Sequence, residues 1–179
     1  YSSQGKKIVR VFDKTDENTR KKHLEFLRSE VKKNNVKVPQ DKIPLNWDRQ
    51  FEDQLAKKGV LNFQDLFTER NLLINLLLLN FIQSLKNSLA ESEYELLRIA
   101  FSNIVKDNNI MSFTNDTWQS GKPTTWSKHA YWIPSQFCEV NIEDVFRKSK
   151  HRVVSAINYN KDLDFIPREV KTHKDLGKE

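Results

Sequence analysis

Cysteine is nearly absent from this chain: Cys138 stands alone. One thiol cannot form an internal disulfide framework or a cysteine-cluster zinc site. At 179 residues the chain is long enough to bury a core without such staples. A lone cysteine fits a reducing cytoplasm, the localisation expected here. Glycine is scarce as well, with four residues scattered singly at positions 5, 59, 121 and 177. That spacing excludes a glycine-rich phosphate loop and a Gly-x-Ser-x-Gly nucleophile elbow. Long apolar runs are missing. The longest, Leu76-Leu77-Leu78-Leu79, is bounded by Asn75 and Asn80 and is too short to span a bilayer. The four histidines, His23, His129, His151 and His173, show no i,i+4 pairing, so no metal site is expected. Carboxylates are plentiful but interleaved with bases. Glu139 and Glu143 read as charges favoured at a helix N-terminus. The chain opens on Tyr1-Ser2-Ser3 with no secretory leader after it, and is read as part of something longer.

What the chain does hold is positive charge. The formal net charge is +6 and the isoelectric point about 9.3, a balance that suits a polyanionic partner. Apolar residues make up 37% and charged residues 30%, between a compact domain and a solvated one.

Hydrophobic spacing predicts a mainly α-helical fold. Residues 7–12 are a candidate short N-terminal strand. Residues 18–34, with Leu24, Leu27 and Val31 on one stripe, predict a surface helix capped at Asp16 or Asn18. Val38-Pro39 and Ile43-Pro44 mark 35–46 as a linker. Residues 63–87 are apolar on nearly all sides, which predicts a helix at the buried centre of a bundle, starting near Gln64-Asp65 or Thr68. A second helix over 92–106, with Ser92 and Glu95 spaced as a capping box, would fold back to make a helical hairpin. Residues 107–141 read as a long loop. A last helix over 143–157 is capped by Asn141 and buries Val145, Phe146, Val153, Val154 and Ile157. The organisation expected is a charged arm over 1–46, a helical domain over 47–157 and a polar tail over 158–179.

The last helix also carries Arg147, Lys148, Lys150, His151 and Arg152, making it basic and amphipathic. Such a face can lie on a phosphate backbone, or it can simply be solvated; composition alone leaves both open. On the first predicted helix, over 18–34, neighbouring and interleaved glutamates at 17, 25 and 30 favour the solvated reading. In the long loop Lys122, Trp126 and Lys128 put aromatic rings beside cations, a mixture suited to stacking on bases while neutralising phosphates.

Four ordered pieces then carry a resemblance. Asp65-Leu66-Phe67-Thr68-Glu69-Arg70-Asn71-Leu72-Leu73 opens the apolar helix; Trp47 and the Gly59-to-Phe63 approach precede it. Ala100-Phe101-Ser102 leads to Asn109-Ile110-Met111. Tyr131-Trp132-Ile133-Pro134 follows, and Glu139-Val140-Asn141 runs into Val145-Phe146 and Arg147. Over about residues 47–155 this order resembles an insertion between the catalytic motifs of bacterial site-specific DNA amino-methyltransferases. The 107–130 stretch departs most from the pattern. No Asp-Pro-Pro or Asn-Pro-Pro motif and no Phe-x-Gly-x-Gly loop occurs in the chain. The resemblance therefore implies a restriction-modification context with methyl transfer, and its S-adenosylmethionine, placed elsewhere in the full enzyme. It implies double-stranded DNA and the enzyme's own catalytic domain as partners. Arg70 and Asn71 could read guanine and adenine by geometry, although their place at the start of an apolar helix favours a structural role. The DNA-contacting set expected is Arg147, Lys148, Lys150 and Arg152 for phosphate, then Lys122, Trp126 and Lys128, then Arg70 and Asn71, with no catalytic residue. The rival readings are a docking module of the same enzyme and, behind it, a restriction-nuclease fragment.

Overall fold

A computed structural model describes residues 13–112, 131, 133–134, 137 and 139–162. Its elements are α1 (Lys14–Lys33), α2 (Asp48–Glu52), single 3-10 turns at Ala56–Lys58 and Phe63–Leu66, α3 (Glu69–Ser84), α4 (Glu91–Val105) and α5 (Ile142–Asp162). The fold is mainly α. Among the described residues no strand is formed; an isolated antiparallel bridge joins Lys42 and Asn62. The candidate strand at 7–12 lies outside the described residues.

Each helix ends for a local reason. Asp13, not Asp16 or Asn18, caps α1: its carboxylate accepts the N–H groups of Thr15 and Asp16, while Asp16 returns the favour to the Asp13 N–H. At the other end Asn35 takes a left-handed φ of 50°. The Val36 N–H reaches the Val31 carbonyl and the Asn35 N–H that of Lys32, a Schellman closure. Val36 then packs back on Leu27 and Val31, the apolar contact that accompanies this motif. Thr68 caps α3 by accepting the Asn71 N–H. The start of α4 differs from the Ser92–Glu95 spacing. The helix begins one residue earlier, and Glu93 accepts the Ala90 N–H.

Packing departs from the expected hairpin. α4 lies chiefly on α5, α3 chiefly on α1, and α3 and α4 touch only lightly. Leu27, Val31 and Leu73 form the buried seam between α1 and α3, with Ile74 and Leu77 beside it. The bidentate pair Arg28–Glu69, at 2.6 and 2.8 Å, ties the same helices at their rim. So the helix placed in an arm before residue 47 lies along the domain. α3 is consequently not buried all round. Of its apolar side chains only Leu73 and Ile82 are buried, and Phe81 is 59% exposed. Its neighbours cover two sides and leave the Leu72–Leu76–Leu79 side half-open.

A second core forms where no periodicity announces it. Ile43, Leu55, Val60, Leu66 and Met111 are buried together, with Trp47, Phe67, Ile110, Tyr131 and Ile133 packed around them. Two sharp turns bring these residues together. Gly59 closes the Ala56–Lys58 turn at φ 80°, which only glycine adopts at no steric cost. Asp65 gathers the N–H groups of Leu61 and Asn62 and fixes the approach to α3.

Two asparagines of α3, Asn71 before its apolar run and Asn75 within it, have a use. Asn75 and Asn108 exchange side-chain amide hydrogen bonds of 3.1 and 2.9 Å, and the Asn71 amide donates to the Asn108 carbonyl at 3.0 Å. Asn109 donates to the Val105 carbonyl and accepts the Met111 N–H. All four asparagines are buried. They dock the chain after α4 against α3, so residues 107–112 form a compact turn, not the start of an open loop. Every buried amide here has a partner, which keeps such a network from costing stability.

Candidate nucleic-acid interface

α5 starts where Asn141 accepts the Asp144 N–H at 3.3 Å, with Glu143 and Asp144 in its first turn complementing the helix dipole. It sits on α4 through small residues. Buried Ser149 donates to the Ala100 carbonyl at 2.9 Å and accepts from Asn103 at 3.0 Å. Ala100, fully buried, lets the two backbones approach. Ile142 is buried, and Val145, Phe146, Val153 and Ile157 are half-buried on the same side. Val154 differs from expectation. It faces solvent at 48% exposure, because 154 falls one turn beyond Lys150 on the outer face.

The outer face carries Arg147, Lys148, Lys150, His151 and Arg152, all exposed. Between residues 145 and 160 the helix has four lysines and arginines and no carboxylate. Arg147 pairs with Asp144 at 2.6 Å, a solvent-exposed i,i+3 contact easily traded for another anion. Lys148, Lys150 and Arg152 make no ion pair among the described residues. The helix thus exposes all four of the residues expected to bind phosphate, spread over its solvent-facing half. Lys122, Trp126 and Lys128 lie outside the described residues.

Arg70 and Asn71 are placed apart from that face. The Arg70 guanidinium forks onto the Glu139 carboxylate at 3.1 and 2.7 Å, and the Thr68 hydroxyl adds a third bond to it at 2.5 Å. Asn71 is 2% exposed and committed to the Asn108 carbonyl. Both therefore serve the architecture in this conformation. Glu139 is drawn to Arg70 and does not act as a helix-terminal charge. Beside this pair a cleft of about 410 Å³ opens between His23, Ile74, Asn141 and Glu143.

Sequence reasoning missed Asn75, Asn108 and Glu139. A signal existed for the first: an asparagine inside an otherwise apolar helix must find a buried partner. For the Arg70–Glu139 pair, 69 residues apart, no local pattern could serve. No cluster of three or more potential metal ligands occurs among the described residues, and no described helix is long and apolar enough to cross a membrane. Comparison with known protein families, curated proteins and solved structures found no match.

Proposed function

We propose that this chain is a DNA-facing target-recognition module whose α5 contacts the phosphate backbone. The observation that carries it is a helix with Arg147, Lys148, Lys150 and Arg152 exposed together and no acid for four turns. Like-charged groups held this close repel one another unless a polyanion neutralises them, and each phosphate neutralised releases condensed counterions. The net charge of +6 acts in the same sense at long range. The resemblance of residues 47–155 supports a place in a site-specific DNA amino-methyltransferase of a restriction-modification system, acting in the cytoplasm. The reaction would then use S-adenosylmethionine bound by the enzyme's catalytic domain, because this chain carries neither methyltransferase motif.

The test is equilibrium binding of the chain to mixed-sequence duplex DNA over a salt series. Affinity should fall steeply with salt. Replacing Arg147, Lys150 and Arg152 with alanine should weaken binding to all sequences alike and flatten the log–log salt slope by roughly 3, near one unit per lost phosphate contact. An unchanged slope in the triple variant removes α5 from the interface. No binding even at low salt removes the reading.

Docking to the catalytic domain is a second role for the same module. The specific observation favouring it is the apolar surface left by α3 and α4, with Phe81 59% and Ile99 54% exposed.

A further inference from the structure

Resting on the DNA-facing reading, we infer that α5 enters the major groove and that its central stripe, Arg147, His151, Ser155 and Asn158, meets base edges. A helix lying across one phosphate strand needs cations on one flank only. A helix inside a groove has phosphates on both sides and needs cations on both. At about 100° per residue, Lys150 and Arg152 stand roughly 100° from His151 on opposite sides, with Lys148 roughly 60° away on the Arg152 side. Both flanks are therefore basic. Between them the stripe at 147, 151, 155 and 158 keeps within about 80° of arc and is made of hydrogen-bonding side chains, all exposed.

The helix also has room to enter. Ser149 is its last buried residue. From Val154 to Asn160 every position is exposed except half-buried Ile157, so the final turns stand clear of α4. An α-helix is about 10–12 Å across, which the major groove accepts and the minor groove does not. From Arg147 to Asn158 is about 16 Å, enough to face about five base pairs. The side-chain chemistry matches that surface: arginine suits guanine O6 and N7, and asparagine suits adenine N6 and N7. Val154, exposed beside the stripe, offers the apolar contact that a thymine methyl takes. Tyr159, 64% exposed on the Lys148–Arg152 flank, adds a hydroxyl within reach of the backbone.

The experiment uses the whole chain and has two arms. First, binding to mixed-sequence duplex is challenged with methyl green, which occupies the major groove, and with netropsin, which occupies the minor groove. Displacement by methyl green alone is the expected result. Displacement by netropsin alone, or by neither, overturns groove entry while leaving salt-dependent DNA binding, and with it the DNA-facing reading, intact. Absence of any salt-dependent binding overturns both. Second, duplexes are selected from a randomised pool by the parent chain and by the His151→Ala/Asn158→Ala variant. Both side chains are exposed, so the variant retains the fold. The parent should enrich particular base pairs, and the variant should lose roughly ten-fold of that preference at one or more of them, with its salt slope unchanged. Equal enrichment by both proteins, or a changed slope with equal enrichment, assigns the stripe to the backbone and overturns base reading.

Discussion

At the scale of single residues, the described interior is polar where the sequence looks most apolar. Asn75 breaks a run of leucines and isoleucine, yet is itself buried and paired to Asn108 through two side-chain amide hydrogen bonds. Replacing Asn75 with leucine keeps the helix and strands the Asn108 amide without water. The expected cost is about 1–3 kcal/mol, read from urea denaturation. The double variant Asn75→Leu/Asn108→Leu should cost less than the two single changes added, since it leaves no orphaned amide from this pair. Strict additivity would show that the pair contributes nothing beyond two separate packings. Asn71 belongs to the same network, which explains how a residue whose type suits adenine is spent on the Asn108 carbonyl. Residue type could be read from the sequence here, but residue partner could not. The partners lie 33 to 69 positions apart, and only the folded chain selects among many asparagines and glutamates.

At the scale of elements, legibility follows periodicity. α1, α4 and α5 each show a stripe at helical spacing; α1 and α4 lie within a few residues of where that stripe predicts them, while α5 starts one residue early and runs to Asp162, five residues into the expected tail. The core around Leu55 has no period, because it is built from turns at irregular intervals, so residues 35–46 pass for a linker although Ile43 is buried in it. How helices pair was also illegible. The α4–α5 contact turns on Ala100 and Ser149, two residues too small to stand out. Enlarging one is the direct probe. Ser149→Leu should overpack the crossing, at about 1–3 kcal/mol, and loosen α5 first. Hydrogen exchange should then quicken over 142–157 before it does over α1, and equal quickening everywhere would deny the crossing its local role. The α1–α3 contact has an electrostatic rim instead. The Arg28 guanidinium, hydrogen-bonded to Glu69, holds that carboxyl below its ordinary value of 4.5. A depressed carboxyl pKa contributes stability above the ordinary value and loses it as pH falls through the lowered one. Both side chains are about half exposed, so the contribution is small and salt-sensitive. Glu69→Gln should be slightly less stable than the parent at neutral pH and converge with it below about pH 4.5. A gap that persists in acid would point to packing and not to charge.

At the scale of the whole molecule, two surfaces of opposite chemistry have to be reconciled. The outer face of α5 is cationic and hydrogen-bonding, suited to a hydrated polyanion. The shallow groove lined by Leu79 of α3 and by Glu95, Arg98, Ile99, Phe101 and Ser102 of α4 is largely apolar and lies on other elements. One partner cannot satisfy both, since phosphate gains nothing from leucine and isoleucine, and an apolar partner would leave Arg147, Lys148, Lys150 and Arg152 merely solvated. The proposed module, positioning DNA for a separate catalytic domain, would need two such surfaces, one for each. The division can be tested by charging the apolar side alone. Phe81→Lys with Ile99→Lys should leave the salt-dependent DNA affinity of the isolated chain within about two-fold and its stability nearly unchanged, because both side chains are more than half exposed. The same pair should weaken association with the catalytic domain at least ten-fold, the cost of burying unpaired charge in an apolar contact. If DNA affinity shifted strongly in either direction instead while domain association held, the apolar surface and not α5 would be the nucleic-acid surface. The positive charge of α5 would then serve solubility alone.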